Sequence, residues 1–360
     1  MKATAKLQEL GQSLWLDNIT REMLDSGQLQ RYIEEFSITG LTSNPSIFDK
    51  AIRSGAYDDE IRCKAADAAD RETLFFELAI EDLRRAADLF APIHRRTAGV
   101  DGWVSLEVSP LLAYDTARSV RAAVDLHARA GRENLFIKIP GTAQGLPAIE
   151  EATFAGVPIN VTLLFSHEQY LASADAYMRG IERRIEAGLD PSVSSVASVF
   201  ISRWDAAVIG RVPEPLRARL GLALGLKTYQ AYRRLMDSAR WQRLANAGAR
   251  VQRLLWASTS TKDPDSPDTM YIDGLRAPHT INTMPESTLR AFDDHGRIGE
   301  PIAADGGDAE ATLAEFESAG VDVDALAATL QSEGARNFVK SWDDLLRRID
   351  EQLALVACSP

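Results

Sequence analysis

Lys138 sits in the run Leu-Phe-Ile-Lys-Ile-Pro, with nothing polar beside it in sequence. A lysine walled in by apolar groups loses hydration, which disfavours its ammonium form unless a carboxylate compensates. The neutral amine attacks carbonyl carbon, and desolvation is the usual way to prepare a lysine for Schiff-base chemistry. Taken alone, Lys138 reads more simply as a strand-end lysine that snorkels to water or pairs with Glu107. Glu107 and Asp17 are the candidate acid and base, provided their surroundings separate their pKa values. An ion pair with Lys138 or Arg203 is the competing reading for either carboxylate.

The neighbours of these residues change the balance. Residues two apart on a strand share a face. By that rule Asp17 follows Trp15, Thr42 goes with Asn44, Glu107 with Ser105 and Ser109, Lys138 with Phe136, and Thr162 with Asn160. Each polar residue falls towards the C-terminal end of its strand, so one mouth collects them all and the functional reading of Lys138 gains weight. Asn44 and Asn160 both donate and accept, which suits sugar hydroxyls, although inward asparagines also fill barrel layers. Thr162 and Ser198 suit a water or a phosphate oxygen, or a bond to the backbone.

Such a mouth needs strands to build it. Apolar runs of strand length occur at Ser13–Ile19, Gly40–Ile47, Gly102–Ser109, Asn134–Ile139, Pro158–Phe165, Val193–Phe200, Val251–Ser258 and His279–Met284. Between them the period becomes helical, at about Thr20–Phe36, Arg71–Phe90, Asp115–Ala130, Gln144–Phe154 and Pro213–Ala245. After Phe165, Ser166 and Gln169 form a capping box, and the following stripe from Tyr170 to Ile185 ends at Gly188. Eight βα units with strands apolar on both faces predict an α/β fold, a (β/α)8 TIM barrel whose active site opens at the strand C-termini. Helices at Asp322–Gln331 and Ala335–Val356 belong to an extra C-terminal region, about 287–360, expected to pack on or over the barrel. The whole of 1–360 reads as one domain.

Composition narrows the partners. The 360 residues carry 40 Lys+Arg against 52 Asp+Glu, a formal net charge of −12, so nucleic-acid and anionic-membrane binding are not expected. A homo-oligomer stays open. Cys63 and Cys358 are the only cysteines, and the histidines His94, His127, His167, His279 and His295 lack metal-ligand spacing, so neither a disulfide framework nor a metal is expected. His94 and His167 read as surface residues. Asp263–Asp268 lacks the Gly and terminal Glu of a calcium loop, and Leu226 interrupts the Gly-Lys-Thr order that a phosphate loop would need in Gly221–Thr228. No cofactor is expected. The opening residues lack an apolar signal region and no apolar stretch approaches bilayer length, which reads as cytoplasmic.

Two segments are specific enough to point to a family. Gly40–Ile47 (GLTSNPSI) and Phe136–Thr142 (FIKIPGT) resemble the strand-two and Schiff-base signatures of transaldolases, particularly the longer bacterial form. Asn160-Val-Thr162, Ala197 to Arg203 and Trp256-Ala-Ser-Thr continue the resemblance in order, from about Leu14 to Glu286. The resemblance implies that Lys138 attacks the C2 carbonyl of a ketose phosphate and that Asp17 takes the C4 hydroxyl proton as C3–C4 breaks. Glu107, through a water held by Thr162, moves protons during loss of water from the carbinolamine. Asn44 and Asn160 hold hydroxyls of the retained dihydroxyacetone unit, Ser198 and Arg203 help bind the distal phosphate, and Thr42 is a further substrate-binding residue. Lys262 stands in for an arginine that shorter members carry soon after Ala-Ser on strand seven. The implied substrates are sedoheptulose 7-phosphate and glyceraldehyde 3-phosphate, giving erythrose 4-phosphate and fructose 6-phosphate in the non-oxidative pentose phosphate pathway. A Schiff-base aldolase releasing free dihydroxyacetone or its phosphate needs the same lysine, but Phe200 argues against it. A silent sugar-phosphate binding barrel needs none of the acid, base and nucleophile set.

Overall fold

Runs that are apolar on both faces must be covered on both sides, and the chain meets this with a ring of parallel strands inside a ring of helices. The structure, a computed structural model, describes residues 2–64 and 70–357; Cys358 lies outside them. The strands are β1 (Ser13–Asp17), β2 (Ile38–Thr42), β3 (Val104–Glu107), β4 (Leu135–Pro140), β5 (Ile159–Leu164), β6 (Ser195–Phe200), β7 (Gln252–Ala257) and β8 (Ile281–Met284). They run in the order β2-β1-β8-β7-β6-β5-β4-β3, every pair parallel, as the eight expected runs require.

The ring closes between β2 and β3 through a parallel bridge from Gly40 to Trp103, where Leu41 N–H donates to Trp103 O at 2.9 Å. Glycine is required there. A Cβ at Gly40 would lie 2.6 Å from Trp103 O and 2.7 Å from the Trp15 indole, so any side chain would push the closing strands apart.

Several helices differ from the sequence reading for identifiable reasons. The expected Thr20–Phe36 helix is two, Arg21–Asp25 and Gln28–Phe36, because Gly27 takes φ +71° between them. Pro213–Ala245 divides into a 3-10 turn at Glu214–Leu216 and helices Leu220–Met236 and Ala239–Asn246, the last capped by Ser238. Conversely, the two expected C-terminal helices are one, Val323–Ala357, here called the terminal helix. The Ser166–Gln169 capping box is present and opens the helix His167–Glu186. His94 is not a plain surface residue: its ring meets Trp103 edge-on at 4.9 Å. Among the described residues no helix is long and apolar enough to cross a membrane.

Candidate active site

Backbone pairing alone brings Lys138 to a carboxylate. In the β3–β4 register Glu107 lies opposite Lys138, and their side chains meet with Lys138 Nζ donating to Glu107 Oε2 at 3.2 Å. The same Nζ donates to the Ser43 carbonyl at 3.0 Å, at the end of β2. Lys138 is 6% exposed and β4 is buried along its whole length, so the amine is held by two fixed acceptors in an apolar wall. Asp17, at the end of β1, accepts from Thr42 Oγ1 at 2.7 Å, and the Thr42 hydroxyl also lies 2.8 Å from that of Thr283 on β8.

Both carboxylates are pushed to higher pKa by burial. For Asp17 the Thr42 hydrogen bond and the charges of Lys138 and Lys262 offset that rise only in part. For Glu107 the charge and hydrogen bond of Lys138 oppose it, while Asp17 adds to it. Each therefore holds a proton more tightly than an exposed carboxylate and is a better base once ionised.

Above Lys138 opens a cavity of about 220 Å³. Asp17, Thr42, Asn44, Lys138, Thr162, Ser198, Phe200, Arg203 and Lys262 all line it, which brings together nine of the eleven residues singled out from sequence. Glu107 and Asn160 are not on its walls. Asn160, paired with Lys138 in the β4–β5 register, is fully buried; its amide donates to Ser105 Oγ at 3.1 Å and its carbonyl accepts from Ser198 Oγ at 2.7 Å. The Thr162 hydroxyl is buried without a protein partner, which suits a water reaching towards Glu107.

Asn44 arrives by a different route from the expected one. β2 ends at Thr42, and Asn44 is the N-cap of the helix Pro45–Arg53, its Oδ1 accepting from Ile47 N–H at 3.2 Å. Pro45 explains the break, since it holds the preceding residue extended and favours the first helical position. Pro110 ends the shared face in the same way beyond Glu107, so Ser109 precedes a 3-10 turn rather than extending β3.

Two further cations, Arg203 and Lys262, line the same cavity as Lys138. Among the described residues, no carboxylate is within ion-pair distance of Arg203 or Lys262. Burial lowers the pKa of both, and the positive charge of Arg203 lowers that of Lys262 further. Two neighbouring cations that destabilise each other are an arrangement that an anion relieves.

A model of the family "Transaldolase/Fructose-6-phosphate aldolase" matches residues 14–349. The chain belongs to the transaldolase/fructose-6-phosphate aldolase family. Similar proteins named "Transaldolase" come from Parafrankia sp. (strain EAN1pec), 45% identical over 99% of this chain and 99% of the relative, and from Thermobifida fusca (strain YX), 46% identical over 97% and 98%. A third, from Acidothermus cellulolyticus (strain ATCC 43068 / DSM 8971 / 11B), is 44% identical over 97% of this chain and 96% of its own length.

In this transaldolase-family chain the terminal helix completes the cavity with Asn337, Phe338 and Ser341, none of which the sequence reading selected. Thr283, Ser258 and Ser260 are further wall residues that it missed. Thr283 had a signal, because it interrupts the apolar strand β8 as Thr42 interrupts β2. Asn337 and Ser341 had none, since polar residues one turn apart on an amphipathic helix read as an ordinary solvent face.

Proposed function

We propose that this enzyme moves a dihydroxyacetone unit between sugar phosphates, from sedoheptulose 7-phosphate or fructose 6-phosphate to glyceraldehyde 3-phosphate or erythrose 4-phosphate, with Lys138 as the Schiff-base nucleophile. The observation that carries the reading is a buried amine bonded to Glu107 at 3.2 Å at a cavity that Arg203 and Lys262 also line, neither of them in an ion pair among the described residues. Neutral Lys138 adds to the C2 carbonyl, and Glu107, through a water on Thr162, supplies the proton on which hydroxide leaves as water. Asp17 then takes the C4 hydroxyl proton, C3–C4 breaks with its electron pair passing into the iminium, and an aldose phosphate departs. The enamine left on Lys138 adds to the aldehyde of a second aldose phosphate, Asp17 returns the proton, and hydrolysis frees the product. Thr42 and Asn44 face the retained unit. Asn160 acts by fixing Ser198, whose hydroxyl donates to it, and Arg203 and Lys262 hold the phosphate. Residues 1–360 serve as one unit, because the terminal helix supplies part of the wall.

Transfer rather than release follows from Phe200. Its ring lines the cavity and offers no proton to the enamine carbon, so addition to an aldehyde outcompetes protonation. The test is Phe200→Tyr, assayed with fructose 6-phosphate in the presence and absence of acceptor. The tyrosine hydroxyl is expected to raise free dihydroxyacetone release at the expense of transfer. An unchanged ratio of the two rates in a folded variant would favour the aldolase alternative as an equal reading of the site.

A further inference from the structure

Arg203 owes its position to aromatic rings rather than to hydrogen bonds. Its guanidinium carbon lies 4.8 Å from the centre of the Phe200 ring and 5.9 Å from that of Phe338, and its side chain donates to no protein acceptor among the described residues. Phe200 comes from β6, whereas Phe338 comes from the terminal helix. One turn earlier on the same helix is Gly334, where a Cβ would stand 3.1 Å from Arg203 Nη1 and 2.8 Å from Leu163 Cδ2. A further three residues back, Gln331 Nε2 donates to Leu163 O at 3.0 Å and to Gly141 O at 3.1 Å, which pins the helix to the ends of β5 and β4. Positions 331, 334 and 338 share one helix face. That face therefore has an anchor, a hollow and a ring, and the hollow and the ring both meet Arg203.

We infer that the terminal helix is the second half of the phosphate site, with Phe338 and Gly334 as positioning residues that seat the Arg203 guanidinium. This rests on the assignment of Arg203 to the substrate phosphate. A guanidinium flanked by rings keeps its N–H edges free for an oxyanion while its long side chain is restrained, so less freedom is lost when the phosphate arrives. The hollow at Gly334 lets the helix lie close enough for the Phe338 ring to reach the cation. Phosphate recognition is thus divided between a strand end and a helix distant in sequence, and it depends on how the C-terminal region docks.

The experiment measures kcat/KM for glyceraldehyde 3-phosphate and for unphosphorylated glyceraldehyde, with fructose 6-phosphate as donor, and takes their ratio. Phe338→Ala is expected to lower the ratio about tenfold, mostly through the KM of the phosphorylated acceptor. Phe338→Tyr, which keeps the ring, should retain the ratio; Phe338→Leu, which keeps most of the volume without the ring, should lose it and serves if the alanine variant folds poorly. In an Arg203→Ala background, Phe338→Ala should change the ratio no further. A ratio that survives Phe338→Ala and Phe338→Leu, or an equal loss for both acceptors, overturns the inference while leaving the Arg203 assignment intact. If Arg203→Ala alone leaves the ratio unchanged, the assignment itself fails, and the inference with it.

Discussion

The two ends of the barrel treat charge in opposite ways. At the floor, Asp101 accepts from Ser13 Oγ and from Trp15 Nε1, the latter at 2.8 Å, and Arg253 lies 3.7 Å away. Arg253 in turn donates to Ser13 Oγ at 2.7 Å and to the carbonyls of Thr280 and Val100, each at 3.0 Å. Beside this cluster Trp103 stacks on Phe136 at 4.0 Å. At the mouth, Lys138 has its carboxylate in Glu107, yet among the described residues Arg203 and Lys262 form no ion pair, although Asp17 lines the same cavity, and the Thr162 hydroxyl has no partner. A buried ion pair whose remaining donors are satisfied holds strands together, whereas the half-buried Arg203 and the exposed Lys262 keep charge free for a ligand. One barrel carries both arrangements, so the difference lies in which end of the barrel a charge occupies.

Substitutions at the two ends should separate activity from stability. The largest effect is expected from Asp17→Asn, which should reduce kcat by roughly 10²–10⁴-fold because it removes the base proposed to take the C4 proton. Stability should move the other way or not at all. With its folded pKa raised, Asp17 favours the folded state most at acid pH, below its unfolded value, and that contribution is lost as pH rises through the raised value. At neutral pH its ionised form is a cost that asparagine lacks, so the melting temperature at pH 7 should not fall.

At the floor, Asp101→Ala should show the reverse. It leaves the Trp15 N–H without its acceptor and removes the carboxylate facing Arg253, a loss on the order of 3 kcal/mol in denaturant unfolding. The steady-state constants of the molecules that remain folded should change little. Comparable losses of stability from both variants would erase the distinction between mouth and floor.

The smallest effect concerns pH. Because Asp17 must be ionised to act, the acid limb of kcat/KM should lie above the ordinary aspartate range near 3.9. Lys262 lowers the Asp17 pKa by its charge, so Lys262→Met should move that limb to still higher pH, as a pH–rate profile would show. A limb that stays put would mean that Lys262 does not act on Asp17.

Much of this was legible because apolar strands make polar interruptions conspicuous. Lys138 and Thr162 each break such a strand, and alternation gave their direction. Asn44 shows the limit of alternation: Pro45 had already ended the strand, and the correct signal was the proline rather than the spacing. Arg253 shows a second limit. It breaks an apolar strand as Lys138 does, but it sits near the N-terminal end of β7 and so belongs to the floor. The contribution of the terminal helix was illegible for a physical reason, since Phe338 and Gly334 acquire meaning only from a contact across more than a hundred residues of chain to Arg203.

The central claim is that Lys138 forms the covalent intermediate, and trapping tests it most directly. The protein is incubated with fructose 6-phosphate, reduced with borohydride, digested and mapped by mass spectrometry. A reduced three-carbon adduct is expected on the peptide containing Lys138 and nowhere else, and it should be absent from Lys138→Met, which should also have lost transfer. An adduct on another lysine, or no adduct from protein that still catalyses transfer, would contradict the account.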